Sequence, residues 1–378
     1  MVSLLSRQPW KGLYVVFLVG KAIIRLPWLL MRYSLPSTRP LPEWSLRMSV
    51  IRDLVLQLHE YNVATLSNDM ASVQADHERF PDRFALAAPA DLHLYTGVLR
   101  PDAATQPAAV GGLWYPSPPR AGAFADDEKI ALHVPGGAFV LAFGQDMHGR
   151  DVAGAMARHL GVSHTFVAQY RLSSAGGEDT RFPAALQDIL TVYRYVLSLG
   201  VRPQNVLLSG DSAGGNLALA LLRHLEATEE PLLPRPGGVL LWSPWVRVTA
   251  SAGAEYAASR RAGTDSMLFS LLQWGTEAYL PGGGKTPVAD EQLPYISPLH
   301  HPFRTRVPLF IHAGGAEVFY DDVRAFAGQM AAVDGNRVRF AETAIAGHDL
   351  IMSYAGLGLE AELEVVMSDA RDFLSRAD

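Results

Sequence analysis

A chain of 378 residues is long enough for one large α/β domain or two smaller ones, and its 49% apolar and 19% charged residues are the proportions of a packed globular protein, not a disordered one. A net charge of −6, with no basic run interleaved with aromatics beyond the N-terminal segment, argues against nucleic acid as a partner. Lack of cysteine excludes thiol catalysis, disulfides and cysteine zinc sites; the 12 histidines remain available as bases, but they form no H-E-x-x-H metal pair.

The chain opens on "PWKGLYVVFLVGKAIIRLPWLLMRY", apolar enough to suggest a membrane helix, yet Lys21 and Arg25 fall in its middle, where hydrocarbon disfavours charge. Wound at 3.6 residues per turn, Arg7, Lys11, Lys21, Arg25 and Arg32 share a sector of about 80°. A basic stripe backed by Leu, Val, Ile, Phe and Trp suits an interfacial helix at an anionic membrane surface. The alternative is a helix that packs on the domain and helps wall a substrate pocket. Pro27 is expected to kink or end this helix, and no small-residue cleavage site follows it, which disfavours a removable signal peptide. Residues 1–36 are therefore expected as a membrane-associating segment, with the endoplasmic reticulum one candidate membrane, and residues 37–90 as an N-terminal cap segment containing the helical stretch "SLRMSVIRDLVLQLHEY". The catalytic domain is expected over 91–378.

From Asp91 the pattern becomes strand-like. The segments "DLHLYTGVL", "GGLWYPS" and "KIALHV" are predicted strands. Next come "DVAGAMARHLG" as helix, "HTFVAQYRL" as strand, "FPAALQDILTVYRYVLSLG" as helix, "NVLLSG" as strand, "SAGGNLALALLRHL" as helix and "GGVLLWSP" as strand. A stretch from about 250 to 293, containing "SMLFSLLQWGTEAYLPGGG", interrupts the alternation and is expected as a cap insertion. The strands "RVPLFIHAGG" and "RVRFAETAIAG", a helix between them and the final helix "EAELEVVMSDARDFLSR" complete the chain. Repeated alternation predicts an α/β fold whose mainly parallel sheet is covered by helices, with chemistry at the carboxyl ends of the strands.

One strand-to-helix junction carries a chemical signature. Gly210, Asp211, Ser212, Ala213 and Gly214 fit G-x-S-x-G, and small residues around Ser212 permit the strained turn that exposes a nucleophilic hydroxyl. A serine acting only as a helix cap is the plain alternative. A serine nucleophile needs a base, an orienter for the base and donors for the oxyanion. His348, after the last predicted strand, is placed to be the base. Glu317, after the strand before it, is placed to be the orienter, with Asp321 and Asp322 as rivals better suited to opening the next helix. Asp349 fits a local hydrogen-bonding or capping group. The "PGG" of "ALHVPGGAFV" offers Gly136, Gly137 and Ala138 as an oxyanion loop, joined by the N–H of Ala213, although it also fits an ordinary turn.

Taken together, "GDSAGGNLAL", "HVPGGAFV", "QYRLSSAGGEDTRFPAALQD", "GGAEVFYDD" and "AGHDLIM" resemble the ordered motifs of the hormone-sensitive-lipase-like branch of the α/β-hydrolase superfamily, over about Leu113 to Leu374. The resemblance implies an α/β-hydrolase fold and cofactor-independent carboxylic ester hydrolysis, with Ser212, Glu317 and His348 as triad and Gly136, Gly137, Ala138 and Ala213 as oxyanion donors. This chain departs from the family at Pro135, where the loop histidine is usual; His133 stands two residues earlier. The apolar N-terminus also resembles fungal members, among them membrane-bound steryl acetyl hydrolases and esterases of secondary metabolism.

The expected substrate is a small apolar ester with a short acyl group, acetyl among the candidates, on a bulky alcohol. Phe139, Leu268, Phe269 and Trp274 are the candidate binding side chains. Two other functions fit the same motifs: a lyase or cyclase using the oxyanion loop, and a non-catalytic receptor. Intact Ser212 weighs against the first and His348 against the second.

Overall fold

A computed structural model describes residues 4–66, 77–141, 146–173, 177–227 and 233–375. Residues 174–176 of the "QYRLSSAGGEDTRFPAALQD" motif and 67–76 of the expected cap segment lie outside the described residues.

Two long helices come first, α1 (Trp10–Tyr33) and α2 (Leu46–Thr65). The helix α1 runs through Pro27 without ending there, because the flanking residues "IIRLPWLLMRY" keep helical backbone on both sides. The Ser45 hydroxyl caps α2 by accepting the Met48 N–H at 3.1 Å.

The sheet has eight strands: β1 (Phe84–Ala87), β2 (Val110–Tyr115), β3 (Lys129–Val134), β4 (Val162–Ala168), β5 (Val206–Asp211), β6 (Gly238–Trp242), β7 (Leu309–Gly314) and β8 (Val338–Thr343). Their spatial order is β1-β2-β4-β3-β5-β6-β7-β8. The pairings β1–β2 and β2–β4 are antiparallel and all others parallel. Strands β5, β6 and β7 are buried along their whole length, which explains why they read as continuous apolar runs instead of alternating ones. Helices α3 (Asp146–Leu160), α4 (Ala184–Ser198) and α5 (Ser212–Glu226) connect the first half of the sheet. The later helices are α6 (Ala252–Ala257), α7 (Phe269–Tyr279), α8 (Leu293–Ile296), α9 (Tyr320–Ala331), α10 (Leu350–Leu357) and α11 (Glu360–Ser375). One apolar cluster with Ile130, Leu208 and Leu221 lies on one side of the sheet, and a second with Met156, Phe310 and Met367 on the other.

The "DLHLYTGVL" segment is not a strand. It folds as two short 3-10 turns, Leu92–Leu94 and Gly97–Leu99, closed by hydrogen bonds such as Tyr95 N–H to the Leu92 carbonyl at 3.1 Å. Gly97 adopts φ 54°, a conformation that breaks an extended run. Leu94 and Leu99 still reach the core, so the apolar alternation is genuine while the backbone is not extended. The edge strand is instead β1, four residues within the segment expected to be cap.

Candidate active site

The strand β5 delivers Ser212 to the start of α5. Ser212 has φ 50°, the left-handed strain expected of a serine lifted out of a sharp strand-to-helix turn. The glycines make that turn possible: a Cβ on Gly210 would sit 2.5 Å from the Gly214 carbonyl oxygen, and one on Gly214 would collide with the Val134 carbonyl. The turn is fixed from outside by Trp245, whose N–H donates to the Ser212 carbonyl at 2.9 Å. Asn216 then donates to the carbonyls of Trp245 and Ile296, each at 2.8 Å.

Glu317 follows β7 and is fully buried. One carboxylate oxygen accepts the Gly314 N–H at 3.2 Å, and the other lies 2.8 Å from Nδ1 of His348. That bond places the Nδ1 proton toward Glu317 and leaves Nε2 as the basic nitrogen. Nε2 of His348 has no hydrogen-bond partner among the described residues, and both His348 and Ser212 line one cavity. Phe319 packs edge-on against the imidazole at 5.0 Å. Burial alone would push the imidazolium pKa of His348 down, but the hydrogen bond and charge of Glu317 outweigh it and hold it above the ordinary value. The rivals are engaged elsewhere: Asp321 pairs with Arg261 at 2.7 Å, and Asp322 with Arg247 at 2.9 Å and the Tyr256 hydroxyl at 3.0 Å.

The loop expected to receive an oxyanion follows β3. Gly137, Ala138 and Phe139 all have positive φ, at 123°, 52° and 64°, and Gly137 and Ala138 border the cavity with Ser212. Gly136 plays a different part from the one expected. Its N–H donates to Oδ2 of Asp211 at 2.8 Å, so it is committed to a carboxylate and unavailable to a substrate oxygen. A Cβ there would clash with that same carboxylate, which is why glycine is required. The backbone groups left for an oxyanion are those of Gly137, Ala138 and Ala213.

The cavity encloses roughly 270 Å³. Its wall is mostly apolar, with Trp44 just before α2, Met48, Ile51, Val55 and Leu58 from α2, Met267 and Leu271 from the segment before and within α7, and Met352 and Leu357 from α10. Phe139, Leu268, Phe269 and Trp274 do not belong to this wall. Phe139 is fully buried and stacked on Tyr279 at 3.7 Å, so its size serves the core beneath the loop. Leu268, Phe269 and Trp274 pack against the same core. The sequence shows Met48, Ile51, Val55 and Leu58 as one apolar stripe at helical spacing, but not the cavity that the stripe faces. Polar groups in the wall include Arg52 and His59, which also tie α2 to the insertion: Arg52 donates to the carbonyls of Asp265 and Gly263 at 3.0 Å each, and His59 Nδ1 lies 3.2 Å from the Ser266 carbonyl. Burial pushes the His59 imidazole down to about 4, so it is neutral at neutral pH.

The basic stripe of α1 does not face outward as a whole. Lys21 pairs with Glu60 at 2.7 Å and Arg25 with Asp53 at 3.6 Å, both on α2, and Gln57 donates to the Leu18 carbonyl. The exposed side of α1 is apolar instead: Val16, Phe17, Ile23, Ile24 and Met31 are each more than 60% exposed. By length and composition this helix is able to cross a membrane.

Comparison with known proteins gives a consistent picture. A family model described as alpha/beta hydrolase fold matches residues 131–352. An acetyl-hydrolase of Streptomyces hygroscopicus is 32% identical over 216 residues, which are 57% of this chain and 66% of that protein. The carboxylesterase/phospholipase LipF of Mycobacterium tuberculosis is 29% identical over 209 residues, 54% of this chain and 51% of that protein. The chain thus spans between half and two thirds of the length of these curated relatives. Among solved structures, an esterase of Pyrobaculum calidifontis superposes with a TM-score of 0.61 at 18% identity, covering 86% of this chain and 99% of that one. An esterase from the bacterial hormone-sensitive lipase family superposes with a TM-score of 0.59 at 23% identity, covering 88% and 99%. At these identities the superpositions establish the fold alone.

Proposed function

The chain belongs to the α/β-hydrolase family, and from that premise we propose that it is a serine carboxylic ester hydrolase acting without a cofactor. The observation that carries the proposal is the convergence, on one apolar cavity, of a serine in a strained turn and a histidine whose free nitrogen is basic and whose other nitrogen is held by a buried glutamate.

In this mechanism Ser212 Oγ attacks the ester carbonyl carbon while His348 Nε2 takes its proton. Glu317 keeps the Nδ1 proton in place and stabilises the imidazolium. The N–H groups of Gly137, Ala138 and Ala213 receive the negative charge that develops on the carbonyl oxygen. His348 then returns the proton to the leaving alcohol, and the acyl-enzyme is cleared by a water activated at the same nitrogen.

We place the substrate among short acyl esters, acetates included, of a bulky apolar alcohol such as a sterol or a secondary metabolite. The apolar wall supplied by α2, α7 and α10 supports that reading. The exposed apolar side of α1 supports a second element of it, residence at a membrane surface. Intact Ser212 and the unpartnered Nε2 favour hydrolysis over a lyase or receptor function.

The test is a fluorophosphonate probe read by intact mass. A single adduct is expected on the wild-type chain, none on Ser212→Ala and a strongly slowed reaction on His348→Ala. Absence of an adduct on the folded wild-type protein would remove the proposal's foundation, and a positive result justifies a screen of acetylated sterols and polyketides.

A further inference from the structure

Beneath the oxyanion loop lies a polar network that the triad does not use. Asp211 directly precedes the nucleophile and Asp349 directly follows the base, and both side chains are buried at the cavity floor. Oδ2 of Asp211 accepts the Gly136 N–H at 2.8 Å, Oδ1 lies in ion-pair contact with Nε2 of His133 at 3.0 Å, outside hydrogen-bond geometry, and the Asp349 carboxyl lies against Asp211 with its own buried Oδ1 given no donor by any other described residue. The far nitrogen of His133 is 3.0 Å from Ser209 Oγ, which in turn accepts Trp242 Nε1–H at 3.2 Å. Asp349 is itself pinned: its N–H donates to Ser243 Oγ at 3.1 Å, and its φ of 65° is one that aspartate and asparagine tolerate better than most residues.

Two carboxyl groups in hydrogen-bond contact and out of water cannot both be ionised, because like charges at that separation repel strongly and neither is solvated. One must keep its proton to be the donor. We propose that Asp349 is a positioning residue: as the neutral partner it donates to the carboxylate of Asp211, and the pair clamps Gly136 so that the Gly137 and Ala138 N–H groups stay aimed at the substrate oxygen. The proposal rests on the hydrolase reading above. It also accounts for a departure in this chain. Pro135 stands where a loop histidine is usual and brings neither an N–H nor a polar side chain; its carbonyl accepts the Tyr170 hydroxyl at 2.9 Å. The grip on the loop therefore falls to Tyr170 on one side and the acid pair on the other.

Burial and then the Asp211 charge hold Asp349 well above the ordinary carboxyl range. For Asp211, burial is outweighed by His133, then by Asp349 and the Gly136 N–H, and its carboxyl is held below that range. The other charged or titratable groups around the pair are His133 from β3, Tyr170 beyond β4, Glu317 beyond β7 and His348 beside Asp349, with Arg52 and His59 of α2 and His148 of α3 lining the same cavity. Loss of the shared proton at alkaline pH places a second anion next to the loop, and activity should fall there.

The experiment compares the wild type with Asp349→Ala and Asp349→Asn, using p-nitrophenyl acetate across pH, together with the infrared carbonyl band of a neutral carboxylic acid above pH 7. Alanine removes the donor, and kcat is expected to fall about 10- to 100-fold with KM changed less than about twofold, since oxyanion contacts act in the transition state. Asparagine keeps a donor that cannot ionise. It is expected to restore kcat to within about threefold, abolish the alkaline loss and remove the infrared band present in the wild type. Wild-type kcat in Asp349→Ala, an asparagine variant as impaired as alanine, an unchanged alkaline limb in Asp349→Asn, or no carboxylic acid band in the wild type would each overturn the inference. A wild type that shows the band but neither hydrolyses esters nor takes up fluorophosphonate would instead refute the hydrolase reading, and the proton-sharing pair would stand without its catalytic consequence.

Discussion

His348 sits under two opposing influences, and the balance sets how the reaction should respond to pH. A buried imidazole prefers to be neutral, but the Glu317 carboxylate at 2.8 Å favours the imidazolium and prevails. The histidine must be neutral to accept the Ser212 proton, so a raised pKa means that kcat/KM falls as pH drops through a value above 6.5, the ordinary histidine value. Glu317→Gln keeps the shape but loses the charge, leaving burial to dominate. That variant should lose about 10³- to 10⁴-fold in rate and move its acid limb to lower pH than the wild type. A pH profile of kcat/KM for both proteins checks this; a wild-type limb below 6.5, or one that stays in place in Glu317→Gln, would contradict the assigned balance. That Ser212, Glu317 and His348 come together was legible in the sequence, because each has a position relative to a strand that the fold dictates. Gly136 could not be separated from Gly137 in the same way. Both glycines suit a close backbone approach, and only the geometry shows that the first N–H is spent on Asp211.

Helix α2 joins the distant parts of the site. Trp44 at its foot donates to the Ile345 carbonyl at 2.7 Å, Arg52 in its middle holds the insertion through Asp265 and Gly263, and one stripe faces the cavity. Asp265 extends the link to the acid loop, because its carboxylate accepts the Val318 N–H at 2.7 Å, next to Glu317. Helical periodicity displays the apolar stripe of α2 but does not say what it packs against, and the equally apolar "SMLFSLLQW" offers Leu268, Phe269 and Trp274, which serve the core. Likewise, a period of two suggested a strand at "DLHLYTGVL", where local turn bonds prevail. If α2 sets the room available to the alcohol, Val55→Trp should lower kcat/KM for a bulky ester such as cholesteryl acetate by about tenfold or more. For p-nitrophenyl acetate the change should stay within about twofold. Equal losses on both substrates would mean that the alcohol does not lie along this helix.

For the molecule as a whole, the arrangement of α1 on α2 bears on how the protein would meet a membrane if it resides at one as proposed. A helix of 24 residues extends about 36 Å, enough to cross the hydrocarbon core. Its mid-helix cations, however, are bound to Glu60 and Asp53 of a helix that is anchored to the catalytic domain by Trp44, Arg47 and Arg52. Crossing would require those pairs to break or the anchoring helix to enter the bilayer with its charges, whereas lying flat keeps every pair and buries only the exposed apolar side. Each large side chain such as Phe17, Ile23, Ile24 or Met31 contributes about 1.5–3 kcal/mol when taken out of water, so four of them would dominate an attachment of this kind. The full chain should therefore float with phosphatidylcholine vesicles, and a variant with Phe17, Ile23, Ile24 and Met31 changed to Gln should remain in the aqueous fraction. Hydrolysis of p-nitrophenyl acetate should stay within about twofold in that variant, because none of the four residues lines the cavity. Unchanged flotation would show that the apolar side of α1 is not what meets the lipid, and the helix would then have to engage the bilayer by abandoning its pairs with α2.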